Sequence, residues 1–329
     1  MLILSLSVFS FHGVLYAQDK TGVLLISHGS KSKTWRKQLI ELKGIVEPEL
    51  LGLSSISEVK AAFMEDASPS IAEQMRAFDR QGFKQVIAVP LFLTVGLHSS
   101  HDIPNILGTA SDPEILATLK KNGTEIYHPR ARVTLTTTLD YQQFLQQNVL
   151  KRLARVSSNS RQEGIVLVAY GSSRYNGKWV AMMESLGRSV YKNTGIDAAA
   201  YAWCGHVVDY SPNDTRQAIN EILEQKDQVI VIPLLLAKNP FFMDDIIQSA
   251  VDTSAAPERV SYKQEGILPD EALTHWILKS VKSALGSSAS NWQKSEYGGL
   301  EEIPNWGWGT ARTRAHLKSS GLNTFNTAF

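Results

Sequence analysis

The chain has 329 residues, a length that favours two domains rather than one. Its 33 Lys and Arg residues nearly balance its 32 Asp and Glu residues, and this balance argues against a nucleic-acid-binding protein, which usually carries a strong basic excess. With 43% hydrophobic and 20% charged residues the chain cannot be disordered throughout, and its single cysteine, Cys204, excludes both an intramolecular disulfide and a multi-cysteine metal site.

The first 17 residues are apolar and contain no Lys, Arg, Asp or Glu. An apolar run that ends at Ala17 and is followed by Gln18 and Asp19 is typical of a secretory signal cleaved after Ala17. We therefore expect a signal peptide over residues 1–17 and a periplasmic mature protein that does not associate with a membrane. Two alternatives stay open from the sequence: an uncleaved membrane anchor, or a start codon assigned too early.

The first half of the chain alternates strands and helices. Residues 85–92 are apolar at nearly every position, as expected of a parallel strand covered on both faces. Ser68 can cap a helix that starts at Pro69, because proline is tolerated at the first helical position. The pattern predicts strands over residues 23–27, 58–64, 85–92 and 125–128, helices over residues 34–47 and 69–80, and an amphipathic segment over residues 137–153.

The second half repeats landmarks of the first at a nearly constant offset. Chance matches would scatter in their offsets, so the regularity indicates an internal duplication. The matched segments are residues 22–33 with 165–175, 68–69 with 211–212, 86–94 with 229–237, and 102–103 with 245–246.

These observations predict an α/β fold with two similar domains, each a parallel sheet flanked by helices. In such sheets ligands bind near the carboxyl ends of the strands, so we expect an active cleft between the domains at those ends. The polar stretch of residues 157–163 reads as the linker between the two copies. The predicted divisions are a signal peptide at 1–17, a first domain at 18–156, a second domain at 157–286 and an irregular tail at 287–329.

Three candidate metal ligands follow strands of the first copy. His28 comes directly after the first strand, Glu65 ends the second, and His98 follows the third by a few residues. Neighbouring strands would bring these side chains to one crevice, where two neutral imidazoles and a carboxylate suit Co²⁺, Fe²⁺, Ni²⁺ or Zn²⁺. Each residue alone has an ordinary structural explanation: a strand-end histidine can bond to the backbone, and Glu65 can cap the following helix.

The motifs around these residues resemble a known family. A strand ending in His28-Gly29-Ser30, a strand ending in Glu65, and a Gly-x-His-x-x-x-Asp-Ile-Pro segment over residues 96–104 are together similar to the CbiX/SirB sirohydrochlorin chelatases. These class II chelatases are α/β proteins that insert cobalt, iron or nickel into a tetrapyrrole. The resemblance covers residues 22–135, and more weakly residues 164–285.

The resemblance implies a chelatase (a lyase) of tetrapyrrole and cobalamin biosynthesis that inserts a divalent ion, Co²⁺ ahead of Fe²⁺ or Ni²⁺, into sirohydrochlorin. It implies that His28 and His98, assisted by Glu65, handle the metal and accept protons, with no permanently bound cofactor. The partners expected are a small tetrapyrrole and a metal ion, with the protein a monomer or a homodimer. The alternative is an exported, non-catalytic protein that binds a metal or a tetrapyrrole.

The remaining candidates concern the substrate. Sirohydrochlorin carries many carboxylates, and the turn from residue 29 to 34 leads into a helix N-terminus, whose free N–H groups favour anions. We therefore expect Ser30, Lys31, Lys33 and Gly96 to contact the substrate, although the two lysines can equally form a solvated first helical turn.

The second copy lacks the candidate ligands. Tyr170 stands at the position of His28, and Phe241 at the position of His98. We therefore expect one active centre, built mainly by the first copy, with Tyr170, Phe241 and Phe242 available to pack against a flat ring; Phe242 can equally be core. Three further histidines are weaker candidates. His206 could bind a metal together with Cys204 but is expected in a structural turn, His101 could share a metal with His98 but is expected in a solvent-facing loop, and His128 marks a strand end as a weak candidate for the cleft.

Overall fold

The computed structural model describes residues 20–139 and 144–286. The predicted signal peptide at residues 1–17 and the predicted irregular tail at residues 287–329 lie outside the described residues, so both stay predictions. Over the two described ranges, no helix is long and apolar enough to span a bilayer.

Two four-stranded sheets form the framework, and every strand pair in them is parallel. The order is β2-β1-β3-β4 in the first sheet and β6-β5-β7-β8 in the second, so the two sheets have the same topology. The predicted α/β class with two parallel sheets is confirmed, and the internal duplication stays a prediction. The strands are β1 (Thr21–Ser27), β2 (Ile56–Phe63), β3 (Gln85–Pro90), β4 (Arg132–Leu135), β5 (Glu163–Ala169), β6 (Ala198–Trp203), β7 (Gln228–Leu234) and β8 (Val260–Tyr262).

Helices cover both faces of each sheet. In addition, one wider, π-helical turn follows β3 and another follows β7, at His98–Asp102 and Phe241–Ile247. The α-helices are α1 (Lys33–Leu51), α2 (Ile71–Arg80), α3 (Ile103–Ile106), α4 (Pro113–Lys121), α5 (Gln146–Leu153), α6 (Asn176–Thr194), α7 (Asn213–Leu223), α8 (Gln248–Asp252) and α9 (Glu271–Gly286).

The strand alternation divides the hydrophobic core into three layers. Successive side chains of a strand point to opposite faces, so Val23 and Leu25 enter an inner core while Leu24 and Ile26 enter an outer one. The inner core is continuous between the two sheets and includes apolar residues of α1, α5, α6 and α9. Each sheet also has its own outer core, packed against α2 and α3 in the first half and α7 and α8 in the second.

The last helix of each half packs on the other half. Helix α5 contacts α6 and β7, whereas α9 contacts α1 and β3. Polar contacts support the exchange: the Arg152 guanidinium of α5 donates to the carbonyl of Pro233 in β7 at 2.7 Å, and the Asn148 amide donates to Asp270, just before α9, at 2.8 Å. Across the division predicted at residues 156 and 157, each half therefore contributes one helix to the packing of the other.

Two predicted elements of the first half are wrong in detail. The cap of α2 is Ser70 rather than Ser68, because Ser70 and Glu73 form a reciprocal capping box. The predicted strand at residues 125–128 is absent, and the fourth strand is β4. The Asp79 carboxylate accepts hydrogen bonds from the Tyr127 hydroxyl and from the backbone amides of Arg130 and Ala131, so this segment is tied to the end of α2 before β4 begins.

Two further differences lie at the junction of the halves. Within the amphipathic segment predicted at residues 137–153, α5 is regular α-helix, and residues 140–143 lie outside the described residues. The predicted linker of residues 157–163 ends inside β5, where Glu163 is only 1% exposed. Its carboxylate accepts hydrogen bonds from the Ser157 hydroxyl and from the backbone amides of Ser158 and Asn159, so the polar residues of the linker compensate a buried charge.

Candidate functional site

His28 is the first residue after β1, at the carboxyl edge of the first sheet. Because β1 pairs in parallel with β2, the ends of the two strands are adjacent, and the Glu65 amide donates to the His28 carbonyl at 3.0 Å. The side chains meet as well: Nε2 of His28 lies 3.3 Å from Oε1 of Glu65, and the two side chains are 39% and 40% exposed. Both groups are therefore close together and open to a ligand.

Gly29 makes this close approach possible. Its φ is +110°, a conformation that residues with a side chain rarely adopt. A Cβ atom placed on Gly29 would lie 1.7 Å from the carbonyl oxygen of Glu65, which is far inside van der Waals contact. Glycine at this position thus allows the segment carrying Glu65 to lie directly against the turn that carries His28.

His98 begins the π-helical turn after β3 and completes the group. Its ring centroid lies 4.7 Å from that of His28, with the planes nearly perpendicular. Its Nδ1–H donates to the Asp102 carboxylate at 2.6 Å, one turn further along the chain. Since Nδ1 carries this hydrogen bond, the lone pair of Nε2 is left available for a metal.

The three predicted ligands therefore converge. One potential ligand atom from each of His28, Glu65 and His98 lies within 4.8 Å of the other two. We call these residues the metal triad. Burial lowers the pKa of His28, and the neighbouring His98 lowers it further, while Glu65 opposes the shift. His28 is consequently a neutral imidazole at pH 7, the state in which it can bind a metal ion or accept a proton.

The other predicted substrate-binding residues of the first half surround this edge of the sheet. The Ser30 hydroxyl accepts a hydrogen bond from the Ser32 amide, and Ser32 in turn caps α1. Lys31 is exposed, and Lys33 is the exposed first residue of α1. The Gly96 amide donates to the Ser99 hydroxyl within the turn that carries His98. Their contacts with a substrate stay predictions.

Aromatic side chains of the second half occupy the corresponding strand ends. Tyr170 follows β5, as His28 follows β1, and Phe241 begins the second π-helical turn, as His98 begins the first. The Tyr170 ring contacts Phe242 edge-to-face at a centroid distance of 5.6 Å, and Phe241 is 47% exposed. We call the group of Tyr170, Tyr210, Phe241 and Phe242 the aromatic cluster; Tyr210 packs on Phe241 at 5.9 Å.

Electrostatic effects of the metal triad extend to residues of the second half. Burial and the Tyr210 hydroxyl raise the pKa of Tyr170, and Glu65 of the metal triad adds to the increase. Burial lowers the pKa of His206, and His98 lowers it further. Charged groups of the first half therefore influence the ionisation of residues in the second half, and the cleft between the halves stays a prediction.

The sequence did not reveal several residues of this cleft. His206, expected to be structural, shares a 3.1 Å hydrogen bond with the Tyr170 hydroxyl, whereas the neighbouring Cys204 is fully buried and burial raises the pKa of its thiol to about 12. Phe92 lies beside the metal triad, with its ring centroid 6.5 Å from that of His28. The Asp102 position was visible in the Gly-x-His-x-x-x-Asp motif, and the helical turn brings residues four apart together, so that Asp102 pairs with His98.

Two of the remaining histidines differ in their surroundings. His101 is not an exposed loop residue: Nε2 lies 2.7 Å from the Tyr175 hydroxyl, and this bond joins the turn of His98 to the second half. The Trp179 indole N–H, which donates to the carbonyl of Val95 at 3.2 Å, ties the same segment. His128 precedes β4, so it lies toward the amino edge of the sheet and outside the cleft.

Comparisons with known proteins give matches of sequence and of fold. The CbiX family model matches residues 22–156. A sirohydrochlorin cobaltochelatase of Methanococcoides burtonii is 35% identical over 99 residues, which are 29% of this chain and 69% of the relative. A second, from Saccharolobus solfataricus, is 29% identical over 132 residues, or 40% of this chain and 92% of the relative.

The fold of the whole chain also has a solved counterpart. The structure of SirB from Bacillus subtilis with Fe³⁺ superposes with a TM-score of 0.61 and 17% identity, covering 83% of this chain and 98% of SirB. At this identity the likeness concerns the fold alone, and it extends to both sheets. The sequence matches in the first half, taken with the shared two-sheet fold, show that the chain belongs to the CbiX family.

Proposed function

We propose that this protein is a sirohydrochlorin chelatase that inserts a divalent metal, Co²⁺ first, into the macrocycle. The observation that carries the proposal is the convergence of His28, Glu65 and His98 at one open point of the cleft. The relatives named as sirohydrochlorin cobaltochelatases support both the reaction and the choice of cobalt. The metal ion is here a substrate, delivered to the macrocycle rather than retained by the protein.

The donor set suits delivery. Two imidazole nitrogens and one carboxylate oxygen bind Co²⁺, Fe²⁺ and Ni²⁺, and they leave coordination positions free for the macrocycle nitrogens. Thiolates would hold these ions more firmly, and the single thiol of the chain, Cys204, is buried and outside the metal triad. The hydrogen bond to Asp102 holds the His98 ring in place while its Nε2 binds and then releases the metal.

The reaction also requires proton acceptors. Binding of M²⁺ to the four ring nitrogens replaces two pyrrole protons, so two protons leave the macrocycle for each metal inserted. Glu65 can take up one of them when the metal has moved from its oxygen to the macrocycle. His28 is neutral at pH 7 and becomes available as a base at the same stage.

The second half of the chain provides a surface for the ring. Phe241 and Tyr210 are 47% and 40% exposed, and flat aromatic faces pack well on a planar macrocycle. Around the opposite wall, Lys31 and Lys33 and the amide groups at the start of α1 can attract the carboxylates of the substrate.

A metal-by-metal insertion assay tests the proposal. Purified protein is mixed with sirohydrochlorin and Co²⁺, Fe²⁺ or Ni²⁺, and the absorbance of the metallated product is followed. We expect rates above the spontaneous reaction, fastest with Co²⁺, and loss of this acceleration in His98→Ala. A His275→Ala variant, changed at an exposed position of α9, is the matched control and keeps the wild-type rate. Metal or macrocycle binding without acceleration would reject the chelatase and identify a carrier instead.

We further propose that the protein is exported to the periplasm after cleavage behind Ala17. The apolar composition of residues 1–17 supports this proposal. The test is the N-terminal sequence of protein isolated from the fractionated native host. A mature chain that begins at Gln18 in the periplasmic fraction is expected, and an intact Met1 in the cytoplasmic fraction would contradict export.

A further inference from the structure

A third histidine of the cleft comes from the second half of the chain. His206 follows β6 and is exposed, and its Nδ1 lies 3.1 Å from the Tyr170 hydroxyl. The Tyr170 hydroxyl is in turn 3.2 Å from that of Tyr210, and the rings of Tyr170 and His206 meet edge-to-face at 5.2 Å. His206 is therefore an open imidazole with one nitrogen held by a tyrosine.

Gly205 brings His206 to this position. A Cβ atom on Gly205 would lie 2.6 Å from the carbonyl oxygen of Tyr170, so a larger residue would push the two segments apart. The backbone bonds confirm the close approach, because the Gly205 amide donates to the Tyr170 carbonyl at 3.1 Å. The backbone contact between Gly205 and Tyr170 thus positions His206 beside Tyr170.

The charged and titratable groups around His206 come from both halves. Tyr170 approaches from the end of β5, while Asp209 and Tyr210 approach from the segment after β6. His98 acts on His206 from the first half, across the cleft. Burial and His98 lower the pKa of His206 and Asp209 opposes them, so the imidazole is neutral at pH 7 and can accept a proton.

The proton balance of metal insertion leaves room for such a group. While His28 and His98 hold the metal through ring nitrogens, the electron pairs of those nitrogens cannot take up protons. Glu65 and His28 become available as bases only after the metal has moved to the macrocycle, so a pyrrole proton that leaves earlier needs a base outside the metal triad. His206 lies beyond the carboxyl end of β6, in contact with Tyr170, and does not belong to the metal triad.

On the basis of the proposed chelatase function, we propose that His206 is a catalytic residue that accepts a pyrrole proton of the macrocycle from the second half of the protein. Its Nδ1–H donates to the Tyr170 oxygen, which leaves the lone pair of Nε2 free for the proton. The pyrrole N–H bond breaks, its electron pair stays on the nitrogen that binds the metal, and His206 becomes an imidazolium. Tyr170 and Tyr210 are positioning residues that hold the ring in this orientation.

The test compares the full-length wild-type protein with His206→Gln, His206→Ala and the control His275→Gln. Steady-state insertion of Co²⁺ into sirohydrochlorin gives kcat and KM, and calorimetric titration with CoCl₂ alone gives the metal affinity. We expect kcat of His206→Gln to fall about 100-fold, a typical loss for a missing acid–base group, with the Co²⁺ affinity unchanged within about twofold. His275→Gln is expected to match the wild type.

Chemical rescue adds a measurement that a purely structural role would not affect. His206→Ala leaves a space that free imidazole can enter, so imidazole should restore its kcat by about tenfold or more. It should not rescue His206→Gln, in which the new side chain fills the space, nor His98→Ala. Wild-type protein at the same imidazole concentration corrects for cobalt bound by the imidazole.

The outcomes separate this proposal from the proposed function. An active wild type with an unchanged kcat in His206→Gln contradicts the role of His206 alone. A fall in Co²⁺ affinity equal to the fall in kcat would make His206 a metal ligand, and a change confined to KM would make it a binding residue; both contradict proton transfer. A wild type without any acceleration contradicts the chelatase function itself, and the role of His206 with it.

Discussion

The carboxylate of Asp102 holds Nδ1 of His98 at 2.6 Å, within one π-helical turn of the same chain segment. This bond fixes both the tautomer and the direction of the His98 imidazole, which is one of the three members of the metal triad. The carboxylate is 18% exposed, so solvent competes little for it. Asp102 therefore acts on the metal through His98 rather than by direct contact.

Replacement of Asp102 by Asn should weaken metal binding. An amide can no longer accept a charge-assisted bond from Nδ1–H, and loss of such a partner typically lowers metal affinity about 10- to 100-fold. Calorimetric titration with Co²⁺ measures the change. Asp112→Asn is the matched control, because Asp112 only caps α4 and asparagine caps equally well. Equal affinities in both variants would contradict the role of Asp102.

Gly29→Ala should damage both the fold and the metal triad. The added methyl group would overlap the carbonyl of Glu65, and φ of +110° is unfavourable for alanine. We expect the free energy of unfolding to fall by about 3 kcal/mol or more and Co²⁺ binding to be lost, measured by denaturant titration and calorimetry.

Gly44→Ala provides the opposite control. Gly44 lies inside α1, and nothing lies within 4 Å of the position of its added Cβ. Alanine there should stabilise the protein by about 0.5–1 kcal/mol, because glycine is unfavourable in a helix interior. A Gly29→Ala variant as stable as Gly44→Ala would show that the crossing of the two strand ends tolerates a side chain.

The pH dependence of metal binding follows from the lowered pKa of His28. Burial and the neighbouring His98 lower the pKa of His28 from its ordinary value of 6.5, so the imidazole is mainly neutral at pH 7 and protons compete little with Co²⁺ there. The apparent affinity should stay nearly constant from about pH 8 to 7 and weaken as the pH falls below about 6. Calorimetric titrations across this range test the expectation, and a loss of affinity already between pH 8 and 7 would contradict it.

The same shift affects stability without metal. Below pH 6.5 the His28 side chain binds a proton more readily in the unfolded chain than in the folded one, so acidification lowers the free energy of unfolding. His28→Gln removes the titrating group, and its stability should fall less steeply between about pH 7 and 5. Denaturant titrations of both proteins over this range provide the comparison, and parallel curves would contradict the assignment.

Glu163→Gln should destabilise the protein. Burial alone would raise the pKa of Glu163, but the hydrogen bonds from Ser157, Ser158 and Asn159 outweigh it and lower the pKa overall. In the glutamine variant the side-chain NH₂ group would face one or more of these hydrogen-bond donors instead of accepting from them. The free energy of unfolding should fall by about 1–3 kcal/mol. Thermal unfolding measures the change, and Glu49→Gln, at an exposed position of α1, should leave the stability unchanged.

Acid titration gives an independent check on Glu163. Because its pKa is lower in the folded chain than the ordinary 4.5, the ionised group stabilises the fold above that value and loses this effect as the pH falls below it. The stability difference between the wild type and Glu163→Gln should therefore shrink on acidification. A difference that stays constant down to about pH 3 would contradict the assignment.

The exchanged helices predict that the halves depend on each other. A fragment of residues 20–156 lacks α9, which covers β3, and a fragment of residues 157–286 lacks α5, which covers β7. Each alone should expose apolar surface and aggregate, whereas coexpressed fragments should form a soluble complex. Size-exclusion chromatography of the separate and combined fragments tests this expectation. A first fragment that is monomeric and unfolds cooperatively would show that the halves fold independently.

The sequence predicted the parts of the structure that depend on local pattern and strand order. The apolar runs marked strands β1, β3, β5 and β7, and the carboxyl-edge rule for parallel sheets brought His28, Glu65 and His98 together. It could not predict the exchange of α5 and α9, because two similar amphipathic helices have no local signal for which sheet they cover. The pairing of His206 with Tyr170 was likewise hidden, since it joins segments 36 residues apart.

The correspondence between Tyr170 and His28 has a consequence for how this protein can change. In an assembly of two identical subunits, every substitution would alter both walls of a shared cleft at once. Here the ends of β1 and β5 have the same place in their sheets but belong to different parts of one chain. A substitution therefore changes only one side of the cleft. Ion selectivity on one side and macrocycle selectivity on the other can therefore be adjusted independently.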